Sequence, residues 1–237
     1  MKKKIMASLL VGSAVVGASL APLSAQAVTT GNTPVQVEFG GGVLPDQGDD
    51  PGQGRVDPDP TQPNTDFDLL AIPRSFDFPL VKIGEDLTSI KAIYPPGITA
   101  PAVMVGDVRG TKEGWHVTGE IAEMKNGTDK LDGQFNFGMA PYYARYLAQG
   151  SNYYGLAGTI NGMNIADDPT APSFVGTNMT IGGGAITLIN ATVGKGQGTW
   201  AGRIDDMTLN VTTPMQQLKK GAYTGNITWN LVAGPSI

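Results

Sequence analysis

Several small groups of residues in this 237-residue chain have the types and spacing that could do chemistry. Gly194-Lys195-Gly196-Gln197-Gly198-Thr199 has the look of a phosphate-cradling loop. A dinucleotide fingerprint needs a strand before it and a helix after it, and a Walker loop ends in Gly-Lys-Ser/Thr. Here Trp200 opens a strand-like pattern instead, so the segment reads as a glycine-rich hairpin or bulge. Asp167-Asp168 and Asp205-Asp206 could supply paired carboxylates for glycoside cleavage, Asp205 with Glu120 or Glu123 being one combination. Adjacent acids on a strand point to opposite faces, however, and nothing in the order of residues brings these acids together. Asp57-x-Asp59-x-Thr61 has the opening rhythm of a calcium loop, but Gln62 and Asp68 stand where an EF-hand needs Gly and Glu. His116, the one histidine, is the single candidate base for any Ser/His/Asp arrangement and follows Trp115 in a strand, where it faces outward. There is no cysteine, hence no disulfide, thiolate metal site or thiol nucleophile. No catalytic residue, metal or cofactor is expected, and the chain reads as a non-enzyme.

The elements that would position any site follow from composition. Charged residues are 16% and hydrophobic ones 41%, with 33 Gly and 17 Pro, which fits a folded chain without the Lys/Arg surplus of a nucleic-acid binder. Lys2 to Lys4, the weakly apolar run Ile5 to Leu20 and Ala25-Gln26-Ala27 make residues 1–27 a secretory signal peptide. No later run is long and apolar enough to span a membrane, and Gly234-Pro235-Ser236-Ile237 carries no lipidation signal, so no transmembrane anchor is expected. Residues 28–66 hold seven acids against Arg55 alone. A short strand-like stretch, Val35-x-Val37-x-Phe39, leads into a Pro/Gly/Asp-rich run over 40–66 that reads as a disordered acidic linker. Residues 67–237 are left near neutral.

From Phe67 onward apolar and polar residues alternate with period two. Ala102–Val105, Trp115–Ile121, Phe135–Met139, Ala185–Ile189, Trp200–Ile204, Met207–Val211 and Tyr223–Leu231 read as strands. Asn126-Gly127, Asn161-Gly162 and Gly182-Gly183-Gly184 read as tight turns, and Tyr142–Gln149 as a turn of helix. The five Asn-x-Thr triplets, at Asn126, Asn178, Asn190, Asn210 and Asn226, are treated as the polar face of strands rather than as glycosylation sites. The fold class expected is all-β, a sandwich or barrel-like domain of many short strands over 67–237.

The C-terminal stretch Lys219 to Pro235, with Tyr223, Ile227 and Trp229-Asn230-Leu231, resembles the closing strand of the WxL domain, named for its Trp-x-Leu motif. Gly198-Thr199-Trp200 followed by Leu209-x-Val211-x-x-Pro214 is similar to that domain's penultimate strands. Asp107-Val108-Arg109-Gly110, Gly114 and Trp115-His116-Val117-Thr118 resemble its first motif, with Val117 in place of Leu. The resemblance is nearly full length. It implies a secreted surface protein of Gram-positive bacteria, attached non-covalently to the cell wall through peptidoglycan or another wall glycan. It also implies an alternative role, as an interaction subunit in complexes of cell-surface proteins.

Two readings of the motif residues stay open. Trp115, Val117, Tyr223, Trp229 and Leu231 could form the binding site, aromatic faces stacking on sugar rings while Asn226, Thr228 and Asn230 supply hydrogen bonds. Alternatively Tyr223, Ile227, Trp229 and Leu231, which share one strand face, are core.

Overall fold

The computed structural model describes residues 33–48, 54–94, 101–148 and 152–236. The signal-peptide expectation for 1–27 lies outside the described residues. In chain order the strands are β1 (Arg55–Val56), β2 (Phe67–Pro73), β3 (Ile90–Lys91), β4 (Ala102–Asp107), β5 (Trp115–Asn126), β6 (Asp129–Lys130), β7 (Gly133–Leu147) and β8 (Tyr153–Ala157). They continue with β9 (Thr159–Ile160), β10 (Met163–Asn164), β11 (Ser173–Phe174), β12 (Asn178–Thr180), β13 (Ile186–Ala191), β14 (Gly198–Val211) and β15 (Thr224–Ala233). Two single 3₁₀ turns, Ile165–Asp167 and Met215–Gln217, are the helical elements of the described residues. The all-β expectation holds.

Two antiparallel sheets carry the fold. The larger has the order β1-β2-β4-β14-β7-β12, with β3 also paired to β14 and β8 to β7. The smaller has the order β11-β13-β5-β15, with β6 paired to β5. Alternation along each strand sends one set of side chains into a shared interior. Val103, Val105, Phe135, Phe137, Trp200 and Ile204 from the larger sheet meet Trp115, Val117, Ile121, Leu188 and Ile189 from the smaller in one buried cluster. The chain crosses between the sheets after β11, where Val175 N–H donates to Leu188 O and Phe137 N–H donates to Thr177 O. The Asn-Gly turns form as read: Asn161 and Gly162 both have positive φ (49° and 82°), and close the hairpin of β9 and β10.

Three expectations are revised by the packing. Tyr142–Gln149 is not helical where described; Tyr142 to Leu147 continue β7, because Tyr143 is paired with Trp200 on one side and Ala157 on the other. A two-sided ladder outweighs local propensity. The two strands read around Trp200 and Leu209 are a single strand, β14, with a bulge between Asp205 and Thr208. Val35–Phe39 is not a strand and has no strand partner among the described residues, and Val35, Val37 and Phe39 are exposed.

The largest difference concerns 40–66. Composition predicts a solvated linker, yet its described residues are tied to the outer face of the larger sheet. Leu44 is 3% exposed and joins Leu70, Ala71, Met104, Ala144, Tyr154 and Ala201 in a second buried cluster. It sits where Gly106 has no side chain; a Cβ there would lie 2.5 Å from Leu44 Cδ1. Gly42 N–H donates to Val108 O and Leu44 N–H to Thr65 O, while the Asn64 amide donates to Pro45 O and the Tyr154 hydroxyl to the same carbonyl. Arg55, 1% exposed, donates to Tyr154 O at 2.9 Å. The segment has few apolar residues, but one leucine in a glycine hole contributes about 1.5–3 kcal/mol. Backbone hydrogen bonds invisible to composition do the rest.

Candidate functional site

The first motif is prepared by the loop before it. Asp107, 1% exposed, ends β4 and receives two parallel bonds from Arg109, Nε to Oδ1 and Nη2 to Oδ2, both 2.9 Å. The Arg109 guanidinium lies 3.7 Å over the Phe67 ring and also pairs with Glu113. A forked pair of this kind is geometrically selective, and it fixes the turn that carries the chain from the larger sheet to the smaller. Gly114 then passes Ala191 so closely that a Cβ would lie 2.3 Å from its carbonyl oxygen, at a φ of +81° that favours glycine.

Trp115 opens β5 in the middle of the smaller sheet and has no exposed surface. Its indole N–H donates to Gly196 O at 2.9 Å. The glycine-rich segment therefore has an assignment: it seats the first tryptophan. A Cβ on Gly196 would lie 2.5 Å from Trp115 Nε1. Val117, likewise wholly buried, stands between Ile189 of β13 and Leu231 of β15.

The second motif lies beside the first. The register sets Ala233 opposite Trp115, Leu231 opposite Val117, and Trp229 opposite Gly119. All these residues share the inward face, and Trp229, Leu231, Ile227 and Tyr223 pack half-buried on the core. Gly119 leaves the position across from Trp229 without a side chain; a Cβ would meet Leu188 at 2.7 Å and Met179 at 3.0 Å. Tyr223 is held at the start of the strand, its hydroxyl accepting from Lys219 N–H at 2.9 Å. The structure thus brings together four of the five candidate binding residues, Trp115, Val117, Trp229 and Leu231. It puts them on the face opposite to Asn226, Thr228 and Asn230, so stacking on Trp115 and bonding to those strand polar groups do not converge on one ligand.

The other face of the same sheet carries the polar residues of its strands. Three cross-strand rows run over it: Asn190, His116 and Val232; Thr187, Thr118 and Asn230; Glu120 and Thr228. Thr228, Asn230 and Val232 are exposed and the others half-buried. His116 is held with its Nδ1 at 2.8 Å from Gly234 O, which assigns the proton to Nδ1. Ser236 N–H donates to Asn190 Oδ1, and Thr187 Oγ1 and Ser236 Oγ are 2.8 Å apart, so the segment after the second motif is laced to the rim of this face. His116, Thr118 and Glu120 were legible as the polar phase of the Trp115–Ile121 strand. Their rows with β13 and β15 were not, since register joins residues from 69 to 116 positions apart.

The candidate acids are dispersed. Asp205 lies on β14 of the larger sheet and is paired with Arg203 at 2.9 Å, whereas Glu120 and Glu123 are on β5 of the smaller. Lys125 beside it holds Glu123 below the usual carboxylate range. Asp168 accepts from Tyr143 at 2.7 Å and from the Thr170 hydroxyl and amide. Burial alone would push its carboxyl up; those hydrogen bonds outweigh it and hold it below the usual range. Burial, with the Asp168 charge and hydrogen bond, pushes the Tyr143 phenol up to about 12. The Asp57, Asp59 and Thr61 series makes a local turn in which Asp57 and Asp59 accept from backbone amides two residues on. Among the described residues no group of three or more His, Cys, Asp or Glu side chains could hold a metal ion.

The family model described as WxL domain surface cell wall-binding matches residues 26–235, nearly the whole chain. Comparison with curated proteins and with solved structures found no match. No helix of the described residues is long and apolar enough to cross a membrane.

Proposed function

The chain belongs to the WxL-domain family of surface cell-wall-binding proteins, and from that premise we propose that it attaches non-covalently to the glycan strands of peptidoglycan through the outer face of its five-stranded sheet. The observation that carries this reading is the alignment of Thr118, Thr228 and Asn230, with Thr187 and Asn190 tied to Ser236 beside them, in cross-strand rows that also hold His116 and Glu120. Strands are about 4.8 Å apart, and same-face residues about 6.8 Å along each strand. Hydroxyls and amides at that pitch suit a polyhydroxylated, N-acetylated polymer that lies flat. Each group both donates and accepts, so many modest hydrogen bonds add where a charge pair would be screened. In this reading Trp115 and Val117 act from beneath, by keeping β5 flat and rigid, and Tyr223, Trp229 and Leu231 hold β15 against it.

Binding of the full chain to protein-free peptidoglycan tests the proposal. Retention is expected to persist in about 0.5 M NaCl, where the screening length is only a few ångströms. The double substitution Thr118→Ala with Asn230→Ala should weaken retention while leaving the melting temperature within a few degrees. Undiminished retention by that folded variant, or release by salt alone, would sink the platform reading.

A second reading, as an interaction subunit of a surface complex, has its own observation. β15 is a ten-residue edge strand, TGNITWNLVA, with no charged residue and no proline to discourage strand addition. Recovery of a secreted partner without retention on peptidoglycan would favour it.

A further inference from the structure

β14 changes partner along its length, and the change leaves a gap. Up to Arg203 its outer edge is paired with β4, and from Thr208 it is paired with β3. Between those ladders lies the bulge, where Asp206 adopts a left-handed backbone (φ 51°). An open groove of about 840 Å³ occupies this gap, lined by Lys91, Tyr94, Arg203, Asp205, Asp206 and Thr208 among others. Its chemistry differs from that of the hydroxyl- and amide-rich platform on the other sheet. The Arg203 guanidinium is engaged by Asp205 and lies 5.1 Å over the Tyr142 ring. Asp206 is exposed at the apex of the bulge, and Lys91, also exposed, stands in register with Thr208 on the neighbouring strand. The groove therefore offers one uncommitted carboxylate, one uncommitted ammonium and the phenol of Tyr94, itself 44% exposed, while the strand edge on either side is closed by Ile204 N–H donating to Pro101 O and Ala92 N–H donating to Met207 O.

We propose that this groove binds a short zwitterionic peptide, one with a free amine for Asp206 and a terminal carboxylate for Lys91, laid over the bulge of β14. Resting on the reading of the chain as a peptidoglycan binder, the peptide is the stem peptide that hangs from each glycan strand. A sugar alone would leave both charges unanswered. A short peptide with one charge of each sign answers both. Binding in this groove is electrostatic in part and so falls with salt, in contrast to the platform.

The test uses the full chain with two soluble probes, a stem pentapeptide carrying a free diamino-acid side-chain amine, and glycan strands stripped of their peptides. Titration calorimetry should show the pentapeptide binding at low salt. Asp206→Asn, which tolerates the left-handed backbone and removes only the charge, should weaken it about three- to tenfold, as should Lys91→Gln. Acetylating the peptide's amine should abolish the effect of Asp206→Asn. Neither substitution should change binding of the stripped glycan. No binding of the pentapeptide, or binding by both variants equal to that of the unsubstituted chain, would overturn the groove assignment. Failure of the stripped glycan alone would instead remove the platform reading and leave the groove standing.

Discussion

Trp115-x-Val117 and Trp229-x-Leu231 are two forms of one motif on adjacent antiparallel strands, and their surroundings give them different work. Trp115 begins a central strand, is covered by the larger sheet, and donates its indole N–H to Gly196 O. Trp229 lies on the edge strand, half-buried, opposite a glycine. The apolar packing of one tryptophan is complete and that of the other is partial. The lesson is that a motif's letters state which residues face inward, while the position of the strand in its sheet decides how much each contributes.

The sharpest way to break this contrast is Trp115→Ala. It should cost about 3–5 kcal/mol, as large aromatic truncations in cores do, and leave little folded protein at 37 °C. A loss below about 2 kcal/mol in a denaturant titration would mean that the interior is not organised around this ring. Leu44→Ala calibrates the scale from a buried site remote from both motifs, with an expected loss of about 2–4 kcal/mol. A change within about 0.5 kcal/mol would return 40–66 to the status of a solvated linker. Gly196→Ala tests the seat of the first tryptophan. The new Cβ would meet Trp115 Nε1 at 2.5 Å in a left-handed backbone, for about 1–3 kcal/mol. Gly194→Ala, left-handed but with open space around it, should cost only about 1 kcal/mol. Equal losses at the two glycines would remove the seat from the account. Trp229→Ala should cost about 1–2 kcal/mol, because half of that burial is already absent in the fold. A loss matching that of Trp115→Ala would erase the distinction between centre and edge.

The smallest effect is that of pH. The Tyr143 phenol is raised from 10.0 to about 12, so the fold favours its neutral form. That contribution is complete below pH 10 and disappears as pH rises from 10 towards 12. Asp168 is depressed below 3.8, so its contribution is present above that value and is lost as pH falls through the lower folded pKa. Tyr143→Phe should flatten the alkaline limb of stability against pH and soften the acid limb. Two unchanged limbs would show that the pair is not coupled to folding.

Much of the smaller sheet was legible before any coordinate. The alternation from Tyr223 to Leu231 and from Trp115 to Ile121 is strict, and a half-buried strand has to alternate. The Asn-Gly turns were equally plain, because few residues take positive φ cheaply. The strap over the larger sheet was not legible. Its hold comes from Leu44, Asn64 and Arg55, three residues in a run whose average composition is that of a solvated chain. The continuity of β14 through Asp205 and Asp206 was hidden for a related reason, since a bulge shifts the phase of alternation and reads locally as a break.

By itself the sequence determined the class of fold, the identity of the inward and outward faces of the main strands, and the family, because period-two patterning and motif spacing are local properties. Only the tertiary structure decided which tryptophan is central, that the glycine-rich loop serves Trp115, that the polar residues of three strands form aligned rows, and that a groove opens where β14 changes partners. Each of these depends on pairing between residues distant in the chain. Such pairings are selected by the summed burial and hydrogen bonding of whole sheets, a quantity that no local window contains.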